Sequence, residues 1–256
     1  MSKLVVFLED VSKNRNDFLS AEDGKKCEAL FSARLSKYFT DMTSTNDKNI
    51  IDFKEKIKED VLNKECSNVL DNTLYKNNSD NESYKDFFIS QPYGSQNYPD
   101  FIVVTEFKVF AVEIKYSAKE AAKPMWNSNL PKMDGIYIFG CKGLKQLTFF
   151  KGGDILSSEE RKALIEIWDE LEKTKEELVK SFEEKVNNKK YKNTFGFGPY
   201  LRKAYQQTQT FNDNAIINYF DNPNKSSLEK KAIDFVRKTD QAKKATSRAS
   251  TAKKKK

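Results

Sequence analysis

Histidine is absent from all 256 residues, and cysteine is scarce. Without histidine the chain cannot build a Ser-His-Asp triad, a Cys-His nucleophile pair or a histidine-ligated zinc or nuclease site. The three cysteines (Cys27, Cys66 and Cys141) are too few and too widely spaced for a disulfide framework or a zinc site. They fit a reducing, intracellular compartment. Any hydrolytic chemistry must therefore use carboxylates, lysine, tyrosine and a hard metal ion.

Long apolar runs are also missing, so no transmembrane helix is expected. The apolar patch at residues 4–8 is followed by two acidic residues and by no small-residue cleavage site, which makes it a poor signal peptide. We interpret it as a first strand or helix, and we expect an intracellular, cytoplasmic protein, or a virus-encoded one, without a membrane partner. The sequence has no P-loop, so no nucleotide cofactor is expected.

Positive charge is concentrated at the C-terminus. The chain has a net charge of +7, but residues 225–256 contain twelve lysines or arginines and three acidic residues. The remainder is slightly acidic, so the overall charge does not predict a basic binding face on the body. Residues 241–256 end in four lysines and are expected to be disordered. They fit non-specific phosphate attraction, a localisation signal or a solubility tail.

Two neighbouring apolar runs carry the residues with the most distinctive chemistry. Residues 101–104 and 109–112 are rich in β-branched and aromatic residues, and the four residues between them predict a hairpin. Because side chains alternate along a strand, Glu113 and Lys115 share one face, and antiparallel pairing returns Asp100 to their side. Close carboxylates repel unless a cation neutralises them, and Mg²⁺ is the usual one. A surface salt bridge is the alternative, although the apolar neighbours predict a central strand.

The string PD at residues 99–100, twelve further residues and then EIK at 113–115 resembles the PD-(D/E)xK motif of restriction-endonuclease-like nucleases. The resemblance covers residues 20–150. It implies an α/β fold whose restriction-endonuclease-like core has a mixed central sheet flanked by helices. It also implies Mg²⁺-dependent phosphodiester hydrolysis, with Mn²⁺ able to substitute. On this resemblance Asp100, Glu113 and the backbone carbonyl of Ile114 would ligate the metal, and Lys115 would be the catalytic lysine beside the two carboxylates.

Proteins of that family often add an acidic residue from a helix that precedes the sheet. Residues 20–40 predict such a helix, with Ser20 as its N-cap and apolar residues at three- and four-residue steps. Glu28 lies beside this apolar face and is the candidate further metal ligand, with Glu22 as the second choice. An ordinary solvent-facing glutamate is the alternative for each of them.

The remaining elements follow from hydrophobic periodicity. A sheet of about five strands is expected, and the polar residues 67–84 predict a loop. The chain then divides into a nuclease core (1–156), a long helix with a helical, DNA-contacting extension (157–224), and the basic, partly disordered tail (225–256). The further predicted elements are helices at 49–66, 157–187 and 226–238, and strands at 85–91, 135–140 and 146–150.

Polar side chains near these elements are candidate DNA contacts, because amides, arginine and lysine bind base edges and phosphates. Ordinary turn chemistry is the alternative, and a tryptophan between two prolines, Trp126, fits a plug that packs its loop onto the body. The candidates are Ser95, Gln96, Asn97, Asn127, Asn129, Arg202, Lys203, Gln206 and Gln207.

These features together predict a type II restriction endonuclease that hydrolyses double-stranded DNA at a short specific sequence. A homodimer is expected if that sequence is palindromic, because the two-fold axes of protein and DNA would coincide. The alternatives are a structure- or end-directed repair or viral nuclease of the same fold, and a non-catalytic DNA-binding module. An RNA-binding protein is a more distant alternative.

Overall fold

A computed structural model describes residues 2–63, 69–78, 81–126, 130–187, 205–208, 210 and 214–252. Over these residues the chain is an α/β fold with one mixed, open sheet that has helices packed on it. The helices are α1 (Lys3–Lys13), α2 (Arg15–Leu19), α3 (Gly24–Leu35), α4 (Lys48–Asn63), α5 (Thr73–Asn77), α6 (Ser158–Asn187) and α7 (Asn224–Ala252). The strands are β1 (Thr40–Asp41), β2 (Leu70–Asp71), β3 (Phe87–Ser90), β4 (Phe101–Val104), β5 (Lys108–Ser117), β6 (Ile136–Cys141) and β7 (Gln146–Lys151).

The predicted hairpin is confirmed. Strands β4 and β5 pair antiparallel, with Phe101 opposite Val112 and Val104 opposite Val109. Thr105 closes the turn, because its N–H donates to the carbonyl of Lys108 at 2.9 Å. Every residue of β4 is buried, so β4 is a central strand, where a charge without a partner would be costly.

The strands are ordered β1-β3-β4-β5-β6-β7, and β2 pairs with the start of β5. The sheet is mixed, because β1–β3 and β5–β6 are parallel and the other pairs are antiparallel. The sequence predicted about five strands and missed β1 and β2, since two residues are too few to show alternation. The parallel β5–β6 pair needs a crossover connection, and Trp126 lies within it.

The two faces of the sheet are covered by different helices. On one face, Phe110, Val112 and Ile114 of β5 pack into a core with residues of α1, α2, α3 and α7. On the other face, α4 covers β3, β4 and the beginning of β5. Because α4 reaches only that beginning, the second half of β5 on this face is left to a separate aromatic cluster built around Trp126 and Tyr137.

The helix predicted over residues 20–40 is shorter in the structure, where α3 begins at Gly24 and ends at Leu35, and the separate helix α2 ends before residue 20. The N-cap of α3 is Asp23, whose carboxylate accepts a 2.8 Å hydrogen bond from the N–H of Lys26. The predicted cap, Ser20, instead donates its hydroxyl to the carbonyl of Asp17. Serine and aspartate are both good caps, so the sequence alone could not distinguish the two positions.

The loop predicted over residues 67–84 contains short elements where the structure describes it. Asn72 accepts from the N–H of Tyr75 and so caps α5. Its amide also donates to the carbonyls of Tyr84 and Thr105, each at 2.8 Å. This one buried side chain therefore fastens the polar segment to the β4–β5 turn.

Two long helices form the C-terminal part of the described chain. Helix α6 begins one residue after its predicted start, whereas α7 extends well beyond the predicted 226–238 and continues through Ala252, inside the segment expected to be disordered. Ala232 and Val236 of α7 are fully buried in the core beside β7. No helix of the described chain is long and apolar enough to cross a membrane.

Candidate active site

The hairpin register brings Asp100 and Glu113 together. Asp100 immediately precedes β4, and Glu113 follows Val112, which pairs with Phe101. The N–H of Ile114 donates to Asp100 Oδ2 at 2.7 Å, and the N–H of Asp100 donates to Glu113 Oε2 at 3.2 Å. Each carboxylate is therefore oriented by the strand that carries the other. The face alternation predicted for β5 accounts for this arrangement.

Lys115 joins the pair from the same face of β5. Its Nζ donates to Glu113 Oε1 at 2.9 Å and lies 5.7 Å from the centre of the Trp126 ring. The side chains of Lys115 and Glu113 are 23% and 14% exposed, so the ion pair is partly shielded from solvent. Trp126 is 4% exposed and packs edge-on against Tyr137, which confirms the predicted plug.

Acidic groups crowd together at this position. Burial, together with the charges of Glu113 and Glu28, raises the pKa of Asp100 to about 8. Burial also raises the pKa of Glu113, although Lys115 opposes that rise. One lysine thus compensates only part of the repulsion, and an additional cation would favour the ionised forms of both carboxylates.

Of the two candidate glutamates, the structure favours Glu28. It lies close enough to raise the pKa of both carboxylates of the pair. Its Oε2 accepts from Gln91 Nε2 at 2.9 Å, and the N–H of Gln91 donates to the carbonyl of Asp100 at 2.6 Å. Glu22 instead precedes α3, outside the helix predicted to carry it, and forms an exposed ion pair with Lys26.

A cavity of about 120 Å³ opens over the carboxylates and Lys115. Ser95, Gln96 and Asn97, three of the predicted DNA contacts, lie exposed along it. Asn97 donates to the carbonyl of Tyr93, which fixes the turn they form. The structure therefore places these three side chains beside the candidate active site.

The other predicted DNA contacts are distributed differently. Gln207 is 3% exposed and accepts from the hydroxyl of Tyr219, so it lies in the interior and not on the open surface, and its contact with DNA stays a prediction. Gln206 is exposed and lines a second cavity that shares Trp126 with the first. The remaining four, Asn127, Asn129, Arg202 and Lys203, lie outside the described residues.

Sequence reasoning missed two tyrosines and Gln91. Tyr137 is opposite Glu113 in the β5–β6 register, and Tyr98 stacks on it with ring centres 6.2 Å apart. Burial and the charge of Glu113 raise the pKa of both phenols, so they form an uncharged wall of the cavity. The alternation of strand β6 could have indicated Tyr137, but the position of Gln91 depends on a turn that periodicity does not describe.

The donor set fits a divalent cation that keeps most of its water. Within the described chain, no group of three or more cysteine or acidic residues gathers around a potential metal position. Mg²⁺ commonly binds through one or two carboxylates and completes its shell with water and phosphate oxygens. The Asp100–Glu113 pair and a cavity with room for several waters meet that requirement.

No protein-family model matches the chain, and neither the curated proteins nor the solved structures contain a significant match.

Proposed function

We propose that the protein is a Mg²⁺-dependent endonuclease that hydrolyses phosphodiester bonds of double-stranded DNA at a short specific sequence, as type II restriction endonucleases do. The observation that carries this proposal is the grouping of Asp100, Glu113 and Lys115 at one open cavity on a central hairpin. The spacing resembles the PD-(D/E)xK motif, and the α/β sheet agrees with a restriction-endonuclease-like core.

In the proposed mechanism, Asp100 and Glu113 would hold the metal ion, with the Ile114 carbonyl as a further candidate ligand. Glu28 would be an acidic neighbour, because it does not form a three-residue ligand group with them in the described chain. When bound, Mg²⁺ supplies Lewis-acid polarisation of the phosphate and offsets the negative charge that develops on it. The N–H of Ile114 keeps Asp100 oriented. Gln91 restrains Glu28 beside the pair, because its amide donates to the Glu28 carboxylate.

Lys115 orients the attacking water and stabilises developing negative charge. The water oxygen forms a bond to phosphorus in line with the bond to the 3′ oxygen, which breaks. The attacking water releases a proton to solvent, and the departing 3′ oxygen takes up a proton from solvent, so the products are a 5′-phosphate and a 3′-hydroxyl. Tyr98 and Tyr137 keep the cavity wall uncharged, and Ser95, Gln96 and Asn97 contact the DNA next to the scissile phosphate.

The proposed partner is double-stranded DNA, bound by a homodimer if the recognition sequence is palindromic. Purified protein is incubated with unmethylated plasmid and phage DNA in Mg²⁺ or in chelator. Discrete Mg²⁺-dependent fragments are expected, and sequencing of their ends gives the site. A smear would indicate a nuclease that recognises DNA structure or ends instead of a sequence. Binding without cleavage would indicate a non-catalytic DNA-binding module.

Two substitutions assign the residues. Asp100→Ala is expected to abolish cleavage, and Lys115→Ala to reduce it by about 10²–10⁴-fold while metal binding, measured by calorimetry, persists. Lys142→Ala is the matched control, because Lys142 is an exposed lysine in the β6–β7 turn away from the cavity. Cleavage at the normal rate by Asp100→Ala would disprove the assignment.

A further inference from the structure

A second, larger cavity lies on the other side of Trp126. Its volume is about 570 Å³, within the range of small-molecule sites, and its lining is mostly apolar. Trp126 belongs to the wall of this cavity and to that of the cavity over Asp100, Glu113 and Lys115. The larger cavity and the candidate active site therefore have the Trp126 side chain in common.

Backbone hydrogen bonds hold the walls of the larger cavity together. The N–H of Tyr205 donates to the carbonyl of Trp126, and the N–H of Tyr219 donates to that of Ala122, each at 2.9 Å. Lys123 Nζ donates to the carbonyl of Gln207 at 2.5 Å. These bonds connect the β5–β6 crossover to residues from a distant part of the chain, so the cavity exists before any ligand binds.

The lining matches the surface of a flat, polar-edged ligand. Met125 is 75% exposed and stands at the mouth, while Tyr205 is half-buried in the wall and Trp126 forms the floor. Gln206 presents an exposed amide, and Gln207 lines the same cavity. Aromatic and thioether side chains bind flat π faces, and amides pair with the edges of bases.

The side chain of Gln207 is independent evidence for a ligand in the larger cavity. Its side chain is 3% exposed, and its oxygen is used by the hydroxyl of Tyr219. Its side-chain nitrogen is buried without a hydrogen-bond partner among the residues that the structure describes. Leaving a buried donor unpaired is costly, and an acceptor on a ligand in this cavity would remove that cost.

We propose that the larger cavity binds one unstacked nucleobase of the DNA whose phosphodiester lies at Asp100, Glu113 and Lys115. The inference rests on the proposed nuclease function. The base enters past Met125, lies against Tyr205 and presents an acceptor to the Gln207 amide. Enzymes that extract a base bind it in this way, between apolar or aromatic side chains and polar groups at its edge.

Fluorescence of Trp126 tests the proposal without requiring cleavage. The chain contains two tryptophans, so Trp168→Phe leaves Trp126 as the sole reporter. In that background, each of the four deoxynucleoside 5′-monophosphates is titrated in chelator, beside deoxyribose 5-phosphate, which lacks the base. We expect saturable quenching by at least one nucleotide and at least tenfold weaker binding of the baseless compound. Equal binding of both, or no binding, would overturn the proposal.

A matched pair of substitutions locates the binding. Met125→Glu places a carboxylate at the mouth of the cavity and should weaken nucleotide binding at least tenfold. Leu178→Glu makes the same kind of change at an apolar residue of α6 that is 64% exposed and outside the cavity, and should leave binding unchanged. Equal effects of the two substitutions would refute the assignment. Thermal unfolding of both variants verifies that they fold.

The cleavage assay separates this proposal from the function on which it rests. Mg²⁺-dependent cleavage without nucleotide binding would refute the base cavity and leave the nuclease intact. Nucleotide binding at Trp126 without any cleavage would support the cavity as a nucleotide site and refute the endonuclease function. If both are observed, Met125→Glu should reduce cleavage, whereas Leu178→Glu should not.

Discussion

Asp100→Asn should stabilise the metal-free protein at neutral pH, because it removes an ionisable group whose charged form the folded state disfavours. Asparagine has nearly the shape of aspartate and retains an oxygen that can accept from the N–H of Ile114. Burial and the charges of Glu113 and Glu28 raise the pKa of Asp100 to about 8. The unfolded carboxyl titrates near its ordinary value of about 3.9.

The sign and size of the effect follow from these two pKa values. Below pH ~4, Asp100 is neutral in both the unfolded and the folded state, so the free energy of unfolding is not reduced. As pH rises towards ~8 the free energy of unfolding falls, because Asp100 is ionised in the unfolded state and folding then requires proton uptake. One unit of pKa corresponds to about 1.4 kcal/mol, so the loss at pH 7 is about 4 kcal/mol. The advantage of Asp100→Asn over wild type should therefore be about 4 kcal/mol at pH 7 and should vanish near pH 4.

Urea unfolding in chelator, at several values between pH 4 and pH 8, measures this difference. Asp52→Asn is the matched control, because Asp52 is exposed on α4, and its unfolding free energy should follow wild type at every pH. Comparing variant with wild type at each pH cancels the titration of distant carboxylates. An Asp100→Asn protein that is no more stable than wild type at pH 7 would refute the electrostatic argument.

Three further outcomes are expected. Mg²⁺ should raise the melting temperature of wild type at pH 8 and leave that of Asp100→Asn nearly unchanged, as calorimetry can test. Gly152→Ala should lower the free energy of unfolding in urea by about 1–3 kcal/mol or more, because the added Cβ would lie 2.0 Å from the Lys132 carbonyl. Gly24→Ala is the contrasting variant: its Cβ has open space on a helix, so the free energy of unfolding should rise by up to about 1 kcal/mol. Asp240→Ala should cost about 1 kcal/mol in the same assay, because the Thr105 hydroxyl loses its 2.6 Å hydrogen bond to the carboxylate and keeps only the Lys108 carbonyl, at 3.1 Å, as acceptor.

Several features could be predicted because they depend on neighbours in the sequence. Alternation along β5 put Glu113 and Lys115 on one face, and the four-residue connection returned Asp100 to them. The apolar spacing of α4 and α6 gave helices whose ends were correct to within a few residues. The missing histidine restricts the chemistry to carboxylates, lysine and tyrosine in any fold that the chain could adopt.

Other features depend on residues that are far apart in the chain, and only the tertiary structure decided them. Gln91 holds Glu28 across 63 positions, and packing alone buried Gln207, which composition had suggested as a DNA contact. The sequence determined which side chains the central hairpin presents, because strand geometry is local. Tertiary packing decided which of them are neutralised, buried or open to a ligand, because burial and charge depend on every element that folds around them.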